Sequence, residues 1–183
     1  MRVHYYKHKT NYKMAITFPL GGILNEDKEK GKTAEFEYGL SLPKIFVTGS
    51  KGQLGSELRK IARSCNDLLF DFTDIDELDL CDAQSVMDYV ISSGPKYIIN
   101  CAAYTAVDRA EDEPSKCFQV NRDAVENLAK AAVAVKAKII HVSTDYVFDG
   151  KADKPYTEDD EVCPDSVYGN SKLEGEQVLQ STC

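Results

Sequence analysis

Lys44-Ile-Phe-Val-Thr48, Gly49-Ser-Lys-Gly52-Gln-Leu-Gly55 and Ser56-Glu-Leu-Arg-Lys-Ile-Ala62 follow one another without a break. The first five residues form a short apolar run of strand length. From Gln53 to Ser64 the apolar residues Leu54, Leu58, Ile61 and Ala62 recur at helical spacing. Between the two lie three glycines, the residue type that lets a chain turn sharply and lets its backbone approach a ligand closely. A strand, a glycine turn and a helix in this order are the first unit of an open α/β sheet.

The same alternation continues. Leu68–Phe72 reads as a second strand. Asp82 caps a helix running through Ser93, with Val86, Tyr89 and Val90 on one face and Gly94-Pro95 as its stop. Tyr97–Asn100 is a third strand. A long helix starts at Pro114, with Phe118, Val120, Val125, Leu128, Ala131 and Ala132 available to pack, and Lys138–Val142 is a fourth strand. A last helix covers about Val167–Leu179. Strands that alternate with helices predict a parallel, doubly wound sheet of the Rossmann type, because parallel neighbours need crossover connections. Its central strands are expected to be buried on both faces.

The chain has 183 residues, 43% hydrophobic and 28% charged, the composition of a globular protein with its own core. Residues 1–42 carry seven basic and five acidic side chains and little periodicity. The expected division is therefore an N-terminal extension over 1–42 and a dinucleotide-binding domain over 43–183. A net charge of -8 argues against a broad grip on nucleic acid or an anionic membrane. The six cysteines form no C-x-x-C pair, and His4 and His8 have no third ligand nearby, so no metal site is expected. Neither a signal peptide nor a membrane span can be read, and a soluble, cytoplasmic protein is predicted.

Phosphate recognition is expected at the turn, with Gly49, Gly52, Gln53, Leu54 and Gly55 around a pyrophosphate that faces the helix N-terminus. The spacing G-x-x-G-x-x-G resembles that of the extended short-chain dehydrogenase/reductase superfamily. Asp74 falls 19 residues after Gly55, near the distance at which an acid accepts bonds from an adenosine ribose. The competing reading makes Asp74 and Asp76 ordinary turn residues. A carboxylate there favours NADH, while Lys51 offsets it enough to leave NADPH open. Asp79 and Leu80 are expected on one side of the adenine pocket.

Tyr168-Gly-Asn-Ser-Lys172 places a phenol and an ammonium on the same helical face, and Thr144 adds a hydroxyl at the carboxyl end of the fourth strand. These three resemble the catalytic set of the same superfamily. In that reading Tyr168 protonates a carbonyl oxygen as hydride arrives, Thr144 hydrogen-bonds it, and Lys172 tunes the phenol. Poising a tyrosine near neutrality asks for about 4 kcal/mol of preference for phenolate. A lysine about 4 Å away can supply it.

Asn100–Pro114 (NCAAYTAVDRAEDEP), His141–Gly150 (HVSTDYVFDG), Pro155–Asp160 (PYTEDD) and Val167–Glu176 (VYGNSKLEGE) together resemble the dTDP-4-dehydrorhamnose reductase family. The resemblance covers nearly all of 43–183. It implies reduction of the 4-keto group of dTDP-4-dehydro-L-rhamnose by NADPH or NADH, with Thr144, Tyr168 and Lys172 catalytic. Tyr168 and Lys172 would also touch the cofactor, as would Ala102, Ala103 and Tyr104. Thr105, Val107, Asp145 and Tyr146 would contact the sugar nucleotide, whereas Val147 and Phe148 are expected to pack.

The family also carries later strands and a small C-terminal substrate domain, which are expected to be missing from a chain ending at Cys183. Residues 4–37 faintly resemble the close of dTDP-4-dehydrorhamnose 3,5-epimerase, so residues 1–42 are read as a plain extension or as an epimerase-like remnant. Two other functions compete with the reductase. One is a non-catalytic regulatory subunit resembling the methionine adenosyltransferase beta subunit, and the other is a nucleotide-sugar epimerase or dehydratase. A homodimer is left open.

Overall fold

Strand β1 (Lys44–Thr48) runs down the middle of the sheet and is buried along almost its whole length. The computed structural model describes residues 42–183. Strands β2 (Leu69–Phe72), β3 (Tyr97–Asn100) and β4 (Lys138–His141) join β1 in the order β2-β1-β3-β4, with every pair parallel. The chain reverses its direction of winding between β1 and β3, so a crevice opens at the carboxyl ends of those two strands. The expected parallel α/β fold is present.

Strand alternation explains the double burial. Phe46, Ile98 and Ile139 point to one face, where they meet Val86 and Val90 of α2 (Ala83–Ser93) and Val125, Leu128 and Ala132 of α5 (Ala124–Val135). Ile45, Val47 and Ile99 point to the other, against Leu58 of α1 (Gln53–Ala62). Phe46 is fully buried, so truncation to Ala would cost about 3–5 kcal/mol. The edge strands are less covered: Leu69 and Ile140 are partly exposed.

Local signals set the helix ends. The Asp82 carboxylate accepts from the amides of Gln84 and Ser85 at 3.1 Å each and so starts α2. Gly94, at φ 58°, takes the left-handed conformation that ends it.

Several expectations need correction. Helix α1 ends at Ala62, and Ile61 is 54% exposed, because only Leu58 and the partly covered Leu54 reach the sheet. Residues Val107–Asp112 form a short helix, α3, in a stretch to which the sequence pattern assigns no element. The long helix from Pro114 is not continuous: α4 (Pro114–Phe118) passes through a wider π-helical turn (Gln119–Asp123) into α5. Asp145–Val147 make one turn of 3-10 helix, and α6 (Val167–Thr182) runs three residues past the expected end. Val147 and Phe148 are buried, as expected. The reading of residues 1–42 falls on residues outside those described, apart from Leu42.

Among the described residues no helix is long and apolar enough to cross a membrane.

Candidate active site

The crevice is a cleft of about 360 Å³. Gly49 and Gly52 of the glycine turn border it, as do Asp74, Asp79 and Leu80 beyond β2 and Ala102, Ala103 and Tyr104 beyond β3. Gly49 has φ 61°, and a Cβ there would lie 2.6 Å from the Ala102 amide nitrogen. Only glycine lets the two loops approach this closely. Gly55 is buried beneath the turn against the Gly49 carbonyl.

Gln53 and Leu54 are not part of the cleft wall. Gln53 is exposed at the start of α1, and the Leu54 side chain packs on the Ile45 and Val47 cluster. What they bring to the crevice is backbone at a helix N-terminus that no side chain caps.

The acids beside the turn are already engaged. The Asp74 carboxylate accepts from the Lys51 amide at 2.7 Å and from the Ile75 amide at 2.9 Å. Asp74 thus ties the glycine turn to the end of β2 while still bordering the cleft. Lys51 does not face Asp74 with its ammonium; it pairs with Asp76 at 2.6 Å and Glu77 at 3.4 Å. The Asp79 carboxylate accepts from the Cys81 amide at 2.9 Å.

Thr73 was not foreseen. It borders the cleft, is 3% exposed, and its hydroxyl has no hydrogen-bond partner. Buried hydroxyls are nearly always paired, so an orphan in a cleft marks a place for a ligand's polar group. Ile75, Leu78, Val120 and Ala124 add an apolar wall. Glycine cradle, orphan hydroxyl and apolar wall together fit a dinucleotide.

The catalytic candidates lie beyond that cleft wall and join it through Tyr104. Tyr168 and Lys172 are both buried on α6. Tyr104 and Val107 pack with Ala110, Cys117 and Tyr168 in one cluster. Tyr146 meets the Tyr168 ring edge-on, with centroids 5.5 Å apart. Thr144 caps the 3-10 turn by accepting from the Tyr146 amide at 3.3 Å, and Asp145 lies exposed beside it. Thr105 is exposed in the loop after β3.

The electrostatics differ from expectation. Burial raises the Tyr168 phenol above its ordinary value, and the nearby Thr144 hydroxyl pulls the other way without reversing it. Lys172 is not among the groups that set this value. Its Nζ instead donates to the Val142 carbonyl at 2.7 Å and lies 3.2 Å from His141 Nε2. Burial lowers Lys172 to about 8 and His141 to about 3.

A second buried residue escaped notice. Asn121, in the π-helical turn, accepts from the Tyr104 amide at 2.8 Å and donates to the Tyr104 carbonyl at 3.1 Å and to Ser171 Oγ at 2.9 Å. One side chain thus fixes the loop after β3 to α6. Helical spacing with Val125 and Leu128 was a usable signal, since it puts Asn121 on their buried face.

The family model described as "RmlD substrate binding domain" matches residues 43–183. A dTDP-4-dehydrorhamnose reductase of Sinorhizobium fredii is 44% identical over 138 residues, which is 75% of this chain and 46% of the relative. A crystal structure of a dTDP-4-dehydrorhamnose reductase from Clostridium acetobutylicum superposes with a TM-score of 0.74 at 43% identity, covering 76% of this chain and 49% of that one. The Bacillus anthracis reductase solved with NADP gives the same TM-score at 35% identity, covering 78% and 50%. The chain spans about half the length of the curated relatives it matches.

Proposed function

The chain belongs to the RmlD substrate binding domain family, and from that premise we propose that its residues 43–183 carry the dinucleotide-binding and acid-base machinery of a dTDP-4-dehydrorhamnose reductase. The reaction is reduction of the 4-keto group of dTDP-4-dehydro-L-rhamnose to give dTDP-L-rhamnose, with NADPH or NADH. The observation that carries the reading is the meeting of Thr144 and Tyr168 beside a glycine-cradled cleft whose Thr73 hydroxyl lacks a partner.

Gly49, Gly52 and the N-terminus of α1 would hold the pyrophosphate, Thr73 and Asp74 the adenosine ribose, and Asp79 and Leu80 the adenine side. Ala102, Ala103 and Tyr104 would line the path to the reacting end. When bound, the nicotinamide supplies hydride to the keto carbon. Tyr168 gives its phenolic proton to the keto oxygen. Burial keeps the phenol protonated in the free site, and the Thr144 hydroxyl pulls its value back in the direction that makes it a better proton donor. Thr144 Oγ1 donates to the same oxygen and stabilises charge developing there. Val107, Asp145 and Tyr146 lie around Tyr168 and, with Thr105, would meet the sugar nucleotide.

NAD(P)H oxidation is measured with dTDP-4-dehydrorhamnose present and absent. Oxidation that requires the sugar nucleotide and disappears in Tyr168→Phe supports the reading. Dinucleotide binding without any such oxidation, by protein that also retains a partner synthetase subunit, overturns it in favour of a regulatory role.

A further inference from the structure

The end of the cleft beyond β2 is built from acids. Asp74 and Asp79 border it, and Asp76 and Glu77 stand on the same short segment, with no basic residue among them. The glycine turn brings one cation to this segment, Lys51, and its charge is already engaged. The ammonium meets Asp76 Oδ2 at 2.6 Å and Glu77 Oε1 at 3.4 Å. The second oxygen of Glu77 accepts from the Asp74 amide at 2.8 Å, so the pairing is tied to the turn that carries Asp74. One ammonium thus stands against the carboxylates of Asp74, Asp76, Glu77 and Asp79. Ile75, which follows Asp74 and also borders the cleft, is 70% exposed and brings neither a charge nor a side-chain donor.

The other cations of the neighbourhood lie elsewhere. Arg59 donates to Ser50 Oγ at 2.8 Å and stacks 4.5 Å over the Phe72 ring, lining a separate groove with Leu69 and Phe70. Lys116 borders the cleft from α4, on the wall that Val120 and Ala124 continue one and two turns later.

These facts separate two ribose chemistries. A carboxylate only accepts hydrogen bonds. Each Asp74 oxygen takes one backbone amide, from Lys51 and from Ile75, and keeps a lone pair for a hydroxyl that donates. A ribose with a free 2'-hydroxyl supplies that donor. A 2'-phosphate does not: it replaces the donor with a group of about −1.5 to −2 charge at pH 7 and sets it beside the acids. The Thr73 hydroxyl donates or accepts as needed, so it serves either ribose and does not choose between them.

We propose that Asp76 is a specificity-determining residue: with Glu77 it holds the Lys51 ammonium away from a 2'-phosphate, and the chain selects NADH over NADPH. The inference rests on the reading of the cleft as a dinucleotide site and names which of the two cofactors that site takes.

The test is titration of the purified chain with NADH and with NADPH, followed by the emission of the reduced nicotinamide, since the chain has no tryptophan. A few like-charge contacts in water are worth about tenfold in affinity, so NADH should bind about tenfold more tightly at low salt. The Lys51–Asp76 pair is exposed, and the gap should narrow as salt is raised. Asp76→Asn removes one acid and frees Lys51, so it should tighten NADPH by about fivefold while NADH changes by less than about twofold. Adding Lys51→Met to that variant should abolish the gain. Wild-type protein that binds NADPH as tightly as NADH, or an Asp76→Asn variant in which both affinities move together, overturns the proposal. Sugar-dependent oxidation that prefers NADPH overturns it too, yet leaves the reductase reading standing. Binding of neither cofactor sinks the dinucleotide reading and this selection with it.

Discussion

Replacing Asn121 by Asp removes one donor and adds one ionisable group at a point where the loop after β3 is tied to α6. Asn121 is 1% exposed. In the variant one oxygen still accepts from the Tyr104 amide, but the other faces the Tyr104 carbonyl that Nδ2 now serves. Ser171 can turn its hydroxyl to donate; a carbonyl cannot. An ionised carboxylate left there costs about 3–5 kcal/mol, as an uncompensated buried charge. Protonated, it can donate to that carbonyl, and the loss falls to about 1 kcal/mol. The folded-state pKa of the new group is therefore raised above its unfolded value of about 3.9. The penalty is smallest below that value and grows as pH rises, by up to about 1.4 kcal/mol per unit, until the folded state ionises. Urea unfolding of variant and wild type at pH 4.5 and pH 7.5 reads this directly. The gap between them should widen by about 2–4 kcal/mol from the lower to the higher pH, with m unchanged. A gap equal at both pH values would refute the placement of Asn121. Asn121→Ala, which ionises nowhere, should cost about 2–4 kcal/mol at either pH.

Tyr168→Phe should lower turnover by about 10²–10⁴-fold, the usual worth of a positioned proton donor, with dinucleotide affinity by fluorescence titration unchanged. Equal turnover removes Tyr168 from the reaction. Thr73→Val keeps the shape of the side chain and deletes its orphan hydroxyl, so thermal unfolding should show equal or greater stability while NADPH binding weakens by roughly tenfold, about one hydrogen bond. Unweakened binding would mean that the hydroxyl meets no ligand. His141 is held neutral with a folded value of about 3, so the unfolded state binds the extra proton below pH 6.5. Stability should fall by about 1.4 kcal/mol per unit as pH drops from 6.5 toward 3, beyond the share of the carboxylates. His141→Gln, compared by urea unfolding across that range, should lose this part of the slope; an unchanged slope would show that His141 is not buried as a neutral ring.

Periodicity was enough for the sheet because each strand and its following helix carries its own signal. Ile45, Phe46 and Val47 alternate onto two faces, and both faces are covered. It failed where the signal is thin. Helix α3 has only Val107 and Ala110 as apolar residues facing inward, too few to tell a helix from a loop. Leu54 was assigned to the phosphates from its place in the turn, although its spacing with Leu58 already marked it as core. The single polar residues were the least visible. In Lys138–His141 the alternation puts His141 on the face of buried Ile139, so its burial could have been read. Its partners could not, because Asn100 and Lys172 arrive from other elements. The orphan state of Thr73 is likewise a property of the assembled cleft and has no trace in the sequence.

Tyr168 and Lys172 sit one helical turn apart on α6, both buried. A pair of side chains one helical turn apart suggests that the cation lowers the phenol, and a reaction that withdraws a proton from substrate would need that. Reduction asks for a phenol that holds its proton until hydride arrives and releases it readily once the keto oxygen becomes basic. Burial of Tyr168 secures the first of these, and Thr144 works toward the second. A charged Lys172 near the phenol would favour the phenolate that develops as the proton leaves. Lys172, which reaches His141 and the Val142 carbonyl and titrates at about 8, carries its charge for most of the time at neutral pH. Near neutral pH the charge on Lys172 is thus best matched to the later stage of the step, stabilising Tyr168 after it has given its own proton away.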